Sequence, residues 1–242
     1  MKRAALAMLV VLLPACVAHG DHPARPGDAG VGDGSAGDGG LLEGRVCVVT
    51  DLRKLTTCST TGAKGLLVSL GSAPSFSIDS DDGHFTFAAS SSTDLVWHVS
   101  SATADRIVAS AMRYGTDHTI PVISTQTYTD LRALYGAGNP VDQQASVVVR
   151  AMRGIPPVPV ADVGATTTLT QNNPIFYDGD PARKDDWGTA RTGVAGVVWF
   201  PGVSLAPSTG MVTLTPQGSS TSVQVPVTVQ DSTITFVTKD LP

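Results

Sequence analysis

From Leu42 onward the chain is a succession of short apolar runs of strand length, rich in β-branched residues and separated by turn residues. GRVCVVT at 44–50, GLLVSLG at 65–71, SFSID at 75–79, HFTFAA at 84–89, LVWHVS at 95–100, RIVASAM at 106–112 and IPVIS at 120–124 form a first series. ASVVVRAM at 145–152, GATTTLT at 164–170, GVVWF at 196–200, GMVTLTP at 210–216, SVQVPVTV at 222–229 and STITFVT at 232–238 form a second. Runs this short, with this side-chain chemistry, read as strands. Phe76 with Ile78, and Phe85 with Phe87, alternate so that one face enters a core and the other meets solvent. The fold class predicted is all-β, as two tandem Greek-key β-sandwich domains, because each series has the size of an ordinary domain. A chain that is 42% hydrophobic but only 5% aromatic, with 25 glycines and 16 prolines, suits such turn-rich structure.

Asp81-Asp82-Gly83 is placed to turn the chain as a hairpin between two runs, with glycine free to adopt positive φ. The segment 127–135 breaks the β pattern. Thr127 and Asp130 are spaced as a capping box, Tyr128, Leu131, Leu134 and Tyr135 share a helical stripe, and Gly136 can end the turn. The expected domains are therefore a sandwich over 42–125, a helical connector over 126–143 and a second sandwich over 144–242. Within the second, the stretch 171–195 exceeds ordinary hairpin loops, and loops of that length are either mobile or functional.

Gly44-Arg-Val, Ala63-Lys-Gly-Leu-Leu-Val-Ser-Leu and Asp82-Gly-His-Phe-Thr-Phe87 resemble the carboxypeptidase regulatory-like domain, a transthyretin-like β-sandwich. The second series resembles it again, with Gly196-Val-Val-Trp-Phe matching Gly83-His-Phe-Thr-Phe in character. The resemblance implies an accessory, adhesive or ligand-presenting module without catalytic groups of its own. Cys47, Cys58, the helix and the long 171–195 stretch are departures from its pattern.

Ahead of the strands, Lys2 and Arg3 precede an apolar run from Ala4 to Ala15, which suits a signal peptide over 1–15 and is too short to span a membrane. Leu13-Pro14-Ala15-Cys16 resembles a bacterial lipobox, with Pro14 the departure from it. That resemblance implies lipidation of Cys16 and attachment to the outer membrane, facing periplasm or cell surface; several acyl chains make such attachment durable. Secretion with cleavage after Ala15 or Ala18, and a retained leader, are the alternatives. Residues 16–41, rich in Gly, Ala, Pro and Asp, read as a flexible tether. Asp28, Asp33 and Asp38 lack the spacing of a calcium loop, and His19 and His22 are too few for a metal-binding tract.

Lipidation of Cys16 would leave Cys47 and Cys58 as an even pair in an oxidising compartment. A disulfide between them closes a short loop and contributes roughly 2–3 kcal/mol in the chain-entropy estimate. Separate thiols or a metal site are the alternatives, the latter short of ligands. The net charge of −5 becomes more negative without Lys2 and Arg3, which argues against nucleic acid as a partner.

A search for chemistry finds little. His84, His98 and His118 lack helical zinc spacing, G-x-S-x-G is absent, and Ser90–Ser92 read as a polar loop. The densest carboxylates are Asp178, Asp180, Asp185 and Asp186, among Arg183 and Lys184. With Phe176, Tyr177 and Trp187 they form the candidate binding loop, since aromatic side chains bury large area at interfaces. The alternatives are a solvated turn, an ion site, a catalytic pair, or aromatics that close the open end of the second sandwich. Trp97 and Trp199 lie inside strand runs and are expected in the core. Together these features predict a non-enzymatic, lipid-anchored envelope protein without a cofactor, which binds an envelope protein or glycan. A component of an envelope peptidase or glycan-processing system, and a structural spacer, are the competing readings.

Overall fold

The computed structural model describes residues 41–88, 96–103, 106–113, 118–134, 144–179 and 186–242. The leader, Cys16, the tether as far as residue 40, Ser90–Ser92, Tyr135, Gly136, Asp180, Arg183, Lys184 and Asp185 lie outside the described residues. The first series forms β1 (Leu41–Val49), β2 (Leu66–Leu70), β3 (Phe76–Ser77), β4 (His84–Ala88), β5 (Val96–Ser101), β6 (Ala109–Arg113) and β7 (Thr119–Ile123), followed by helix α1 (Thr125–Leu134). The second forms β8 (Gln144–Arg153), β9 (Val158–Pro159), β10 (Val163–Thr167), β11 (Phe176–Asp178), β12 (Trp187–Gly188), β13 (Val197–Ser204), β14 (Thr209–Pro216), β15 (Val223–Thr228) and β16 (Thr233–Asp240). The fold is β-stranded, with sheets in sandwich-like arrangement and one short helix among the described residues.

Two sheets are three-stranded, ordered β4-β1-β7 and β10-β14-β15. The third has ten strands, ordered β12-β11-β13-β8-β16-β6-β5-β2-β3, with β9 beside β8. Both series contribute to it, and the strand that joins them is β16, parallel to β8 on one side and to β6 on the other. Thr235 thus stands opposite Val147 in one neighbour and Ala111 in the other.

This shared sheet separates two cores. Val148, Trp199, Ile234 and Phe236 face a first core with Val46, Val49, Leu66, Val68, Trp97 and Ile120. Val147, Val149, Val198 and Phe200 face a second, with Val163, Val212, Leu214, Val225 and Val227. Adjacent residues of one strand therefore enter different cores, which is why β8 and β13 carry unbroken apolar runs instead of alternating ones. On the outer side of the first core, the disulfide between Cys47 and Cys58 ties the irregular 50–63 segment to β1. Leu52 and Leu55 of that segment are buried in the same core.

Two local expectations change. The Asp81-Asp82-Gly83 turn does not close a hairpin: β3 pairs with β2, whereas β4 pairs with β1 in another sheet. Gly83 has φ 86°, and a Cβ there would meet the Val46 carbonyl oxygen, so the turn is a corner pressed onto β1. The helix begins earlier than its predicted cap. Ser124 is the N-cap, its Oγ accepting the Thr127 N–H at 3.1 Å, while Thr127 sits within the first turn and its Oγ1 accepts from Ser124 at 2.7 Å. The buried face is Tyr128 and Arg132, with Leu131 half-buried and Leu134 exposed, so the inner stripe carries a cation where leucine was expected.

Candidate functional site

The long 171–195 stretch holds two short strands. β11 pairs with β13 and with β12, placing Phe176 opposite Trp199 and Asp178 opposite Trp187. Phe176, Tyr177, Asp178 and Trp187 are all buried. The centroids of the Phe176 and Trp187 rings lie 5.5 and 5.3 Å from that of Trp199, so both belong to the first core. Tyr177 points into the second, where its hydroxyl donates to the Ala165 carbonyl and accepts the Ala165 N–H, each at 3.1 Å. This corrects the reading of the three aromatics as recognition residues: packed surfaces have no area left to give a partner.

Asp178 is structural for a related reason. Its carboxylate accepts the N–H of Ala195 at 2.7 Å and of Val197 at 2.6 Å, and its carbonyl accepts that of Gly193 at 2.8 Å. The side chain thereby fixes the 193–197 turn into β13. Burial pushes its carboxyl above the usual carboxylate range, while those N–H groups pull it back. The carbonyl of Asp186 accepts from Gly179 and from Arg53 Nη1, each bond within 3.0 Å. Arg53 also lies over the Trp187 ring, 5.7 Å from its centroid, and forms a bidentate pair with Asp51 at 2.9 and 3.0 Å. The surfaces that sequence assigned to an outside partner are engaged by an arginine from the disulfide-tied segment of the same chain.

The structure assembles a concave site elsewhere. The parallel strands β6, β8 and β16 all start at one pole, and α1 crosses that pole against them. Between helix and strand ends lies a cavity of about 320 Å³, walled by Ile107, Ala109, Tyr128, Ala145 and Ile234, with Thr125, Thr129 and Arg132 among its polar groups. That volume falls at the lower end of small-ligand pockets. Arg132 is buried, donating from Nη1 to the Pro201 carbonyl at 2.7 Å and from Nη2 to Gln144 Oε1 at 3.4 Å. Tyr128 Oη and Ser146 Oγ share a short hydrogen bond, and Ser146 donates to Pro201 at 2.9 Å. Burial pushes the Tyr128 phenol above its usual range, with Ser146 and Arg132 acting in the opposite direction. Thr125 Oγ1 is buried without a hydrogen-bond partner among the described residues.

No histidine or carboxylate is among the described residues that line this cavity, and its described walls offer apolar contact and hydrogen bonds. Sequence reasoning missed the site because it is built from strand starts far apart in the chain. The one usable signal was an arginine four residues after Tyr128 on an otherwise apolar helical face. His84 and His118 fall on either side of β1, near Arg45, and His98 lies on the ten-stranded sheet with its imidazole pKa lowered by partial burial. Among the described residues, no group of three or more His, Cys, Asp or Glu side chains is arranged to hold a metal ion.

No family model matches the chain, and no curated protein matches it. Among solved structures it is similar to GBS52, the minor pilin of the Gram-positive pathogen Streptococcus agalactiae. The identity is 12%, the match covers 75% of this chain and 85% of that chain, and the TM-score is 0.28. A likeness that loose transfers neither topology nor role.

Proposed function

We propose that the chain is a non-catalytic, lipid-anchored protein of the bacterial envelope that binds another envelope protein or a glycan, with the α1 cavity as its contact site. The observation that carries the binding role is that cavity, a concave wall of apolar side chains interrupted by hydroxyls and a guanidinium, with no histidine or carboxylate among the described residues that line it. The disulfide supports an exported, oxidising location, in keeping with the leader and Cys16. The resemblance of several segments to carboxypeptidase regulatory-like domains fits the same accessory role.

A photo-crosslinking side chain in place of Thr129 tests the contact site in intact envelopes, with a second at exposed Ser219 as control. A discrete partner adduct is expected from position 129 alone; adducts from both positions, or from neither, would overturn the assignment. The anchor is tested by labelling with a palmitate analogue. Loss of label in Cys16→Ser is expected, and equal labelling of both proteins would remove the lipid from this account.

A further inference from the structure

Among the described residues the large exposed aliphatic side chains are Leu41, Leu134, Ile155, Val158 and Val194. All but Leu134 gather at the pole opposite the cavity, as strand directions show. β8 and β16 run in parallel toward that pole, and the 154–158 turn lies where β8 gives way to its antiparallel neighbour β9. β13 starts there, with Val197 opposite Arg150, which places the 193–196 turn and Val194 beside it. β7 returns alongside β6, the Val108 N–H donating to the Ile123 carbonyl at 3.0 Å, and β1 is parallel to β7. β1 therefore runs opposite to β6, β8 and β16, and Leu41 begins it at this same pole.

The chemistry of the patch is that of a lipid-facing tip. Ile155 is wholly exposed, and Pro156, Pro157 and Pro159 carry no N–H, so the turn brings few donors that an apolar medium would leave unsatisfied. Exposed Arg113 ends β6 here, with Arg153 at the end of β8 and Arg191 close by, alongside the acids Glu43, Asp162 and Asp240. Long arginine side chains at the rim of an apolar tip can hold their guanidinium groups at the level of phosphate headgroups. The 24 residues between Cys16 and Leu41 can span at most about 80–90 Å. That keeps a pole that starts at Leu41 within reach of the membrane.

We propose that this pole docks on the phospholipid surface that holds Cys16, the Ile155 turn entering the headgroup boundary and the arginines lying at headgroup level. The proposal rests on the lipidation of Cys16. It orients the molecule with the α1 cavity directed away from the membrane, toward partners.

The test uses the full chain, extracted from membranes and reconstituted in anionic phospholipid vesicles. With Cys47 and Cys58 bonded and Cys16 acylated, Ile155→Cys or, at the cavity pole, Ser208→Cys supplies one free thiol for a polarity-sensitive fluorophore. Both side chains are exposed, so neither substitution disturbs packing. Quenching by spin-labelled lipid is expected to be several-fold stronger at 155 than at 208. Equal quenching at the two positions, or none at 155, overturns the proposal. Retention of the vesicles after an alkaline wash reads the anchor separately. Retained protein with an unquenched 155 probe refutes docking and leaves the anchor intact, whereas protein that washes off refutes the anchor and, with it, the proposal. Quenching-independent drying of the 155 probe without vesicles, rising with protein concentration, would assign the patch to a second copy of the chain and overturn the lipid reading.

Discussion

The two cores on either side of the ten-stranded sheet are built from different materials. The second is mainly valine and leucine between regular sheets, with Phe200 and Tyr177 its large rings. The first holds Trp97, Trp187, Trp199, Phe176, Phe236 and Tyr128, with Phe76, Phe85 and Phe87 half-buried against it. Branched aliphatic side chains fill the near-constant gap between two pleated sheets. The first core must also cover a helix, the 50–63 segment and the Gly83 corner, whose surfaces stand at uneven distances. Large rings bridge those distances, and they do so in edge-on and tilted pairs: the Trp97 centroid is 5.4 Å from those of both Phe85 and Phe87. Irregular backbone is thus held by aromatic packing and a disulfide, regular backbone by valine.

The largest effect is expected from Trp199→Ala, which should cost about 3–5 kcal/mol in denaturant unfolding because it empties the centre of the aromatic core. Phe200→Ala opens the other face at the neighbouring residue. Hydrogen exchange should then quicken across α1 and 50–63 in the Trp199 variant only; equal acceleration in both would abolish the distinction between the cores. Next, replacing Cys47 and Cys58 with serine should cost roughly 2–3 kcal/mol, and reductant should lower the stability of the parent protein to that of the variant. Insensitivity to reductant would mean the rings alone hold the 50–63 segment.

Asp178→Asn comes third, at about 1–3 kcal/mol, because an amide offers one acceptor to two N–H groups. Its pH dependence has a definite sign. A native pKa above the unfolded value favours the protonated carboxyl in the fold, so this group's contribution is greatest below the unfolded pKa. It declines as pH rises through the raised native value and is level beyond it. The stability difference between parent and variant should follow that course in acid titrations of unfolding, and a difference that grows with rising pH would contradict it. The smallest effect, about 1 kcal/mol, belongs to Tyr177→Phe, which removes the bridge from the second core to Ala165. A loss as large as that of Trp199→Ala would show that the aliphatic flank depends on one polar contact.

Most strands were legible in the sequence because alternation and β-branching are local signals. The unbroken Val147-Val148-Val149 and Val197-Val198-Trp199-Phe200 runs also recorded burial on two faces. Sheet order was not legible, since β16 meets β6 and β8 through parallel pairings that leave no pattern in neighbouring residues. The candidate loop misled because β11 and β12 are three and two residues long, too short for periodicity to register. Phe176, Tyr177 and Trp187 stand among polar residues that mimic a surface, and nothing local reveals Arg53 reaching them from the far side of the chain. Gly179 and Gly193 were the available hint: a Cβ at either would strike backbone oxygen, at Asp186 and Asp178 respectively, which marks close approach of chain to chain.

The position of β16 also bears on how the protein comes into being. During synthesis, residues 233–240 emerge after every strand they join, so the ten-stranded sheet cannot close until they are made. A product that stops short of Thr233 leaves open edges on β6 and β8 and the positions of Ile234 and Phe236 empty in the first core. A protease would meet it as an unfinished fold, and closure of the sheet itself reports that residues 233–240 have been added.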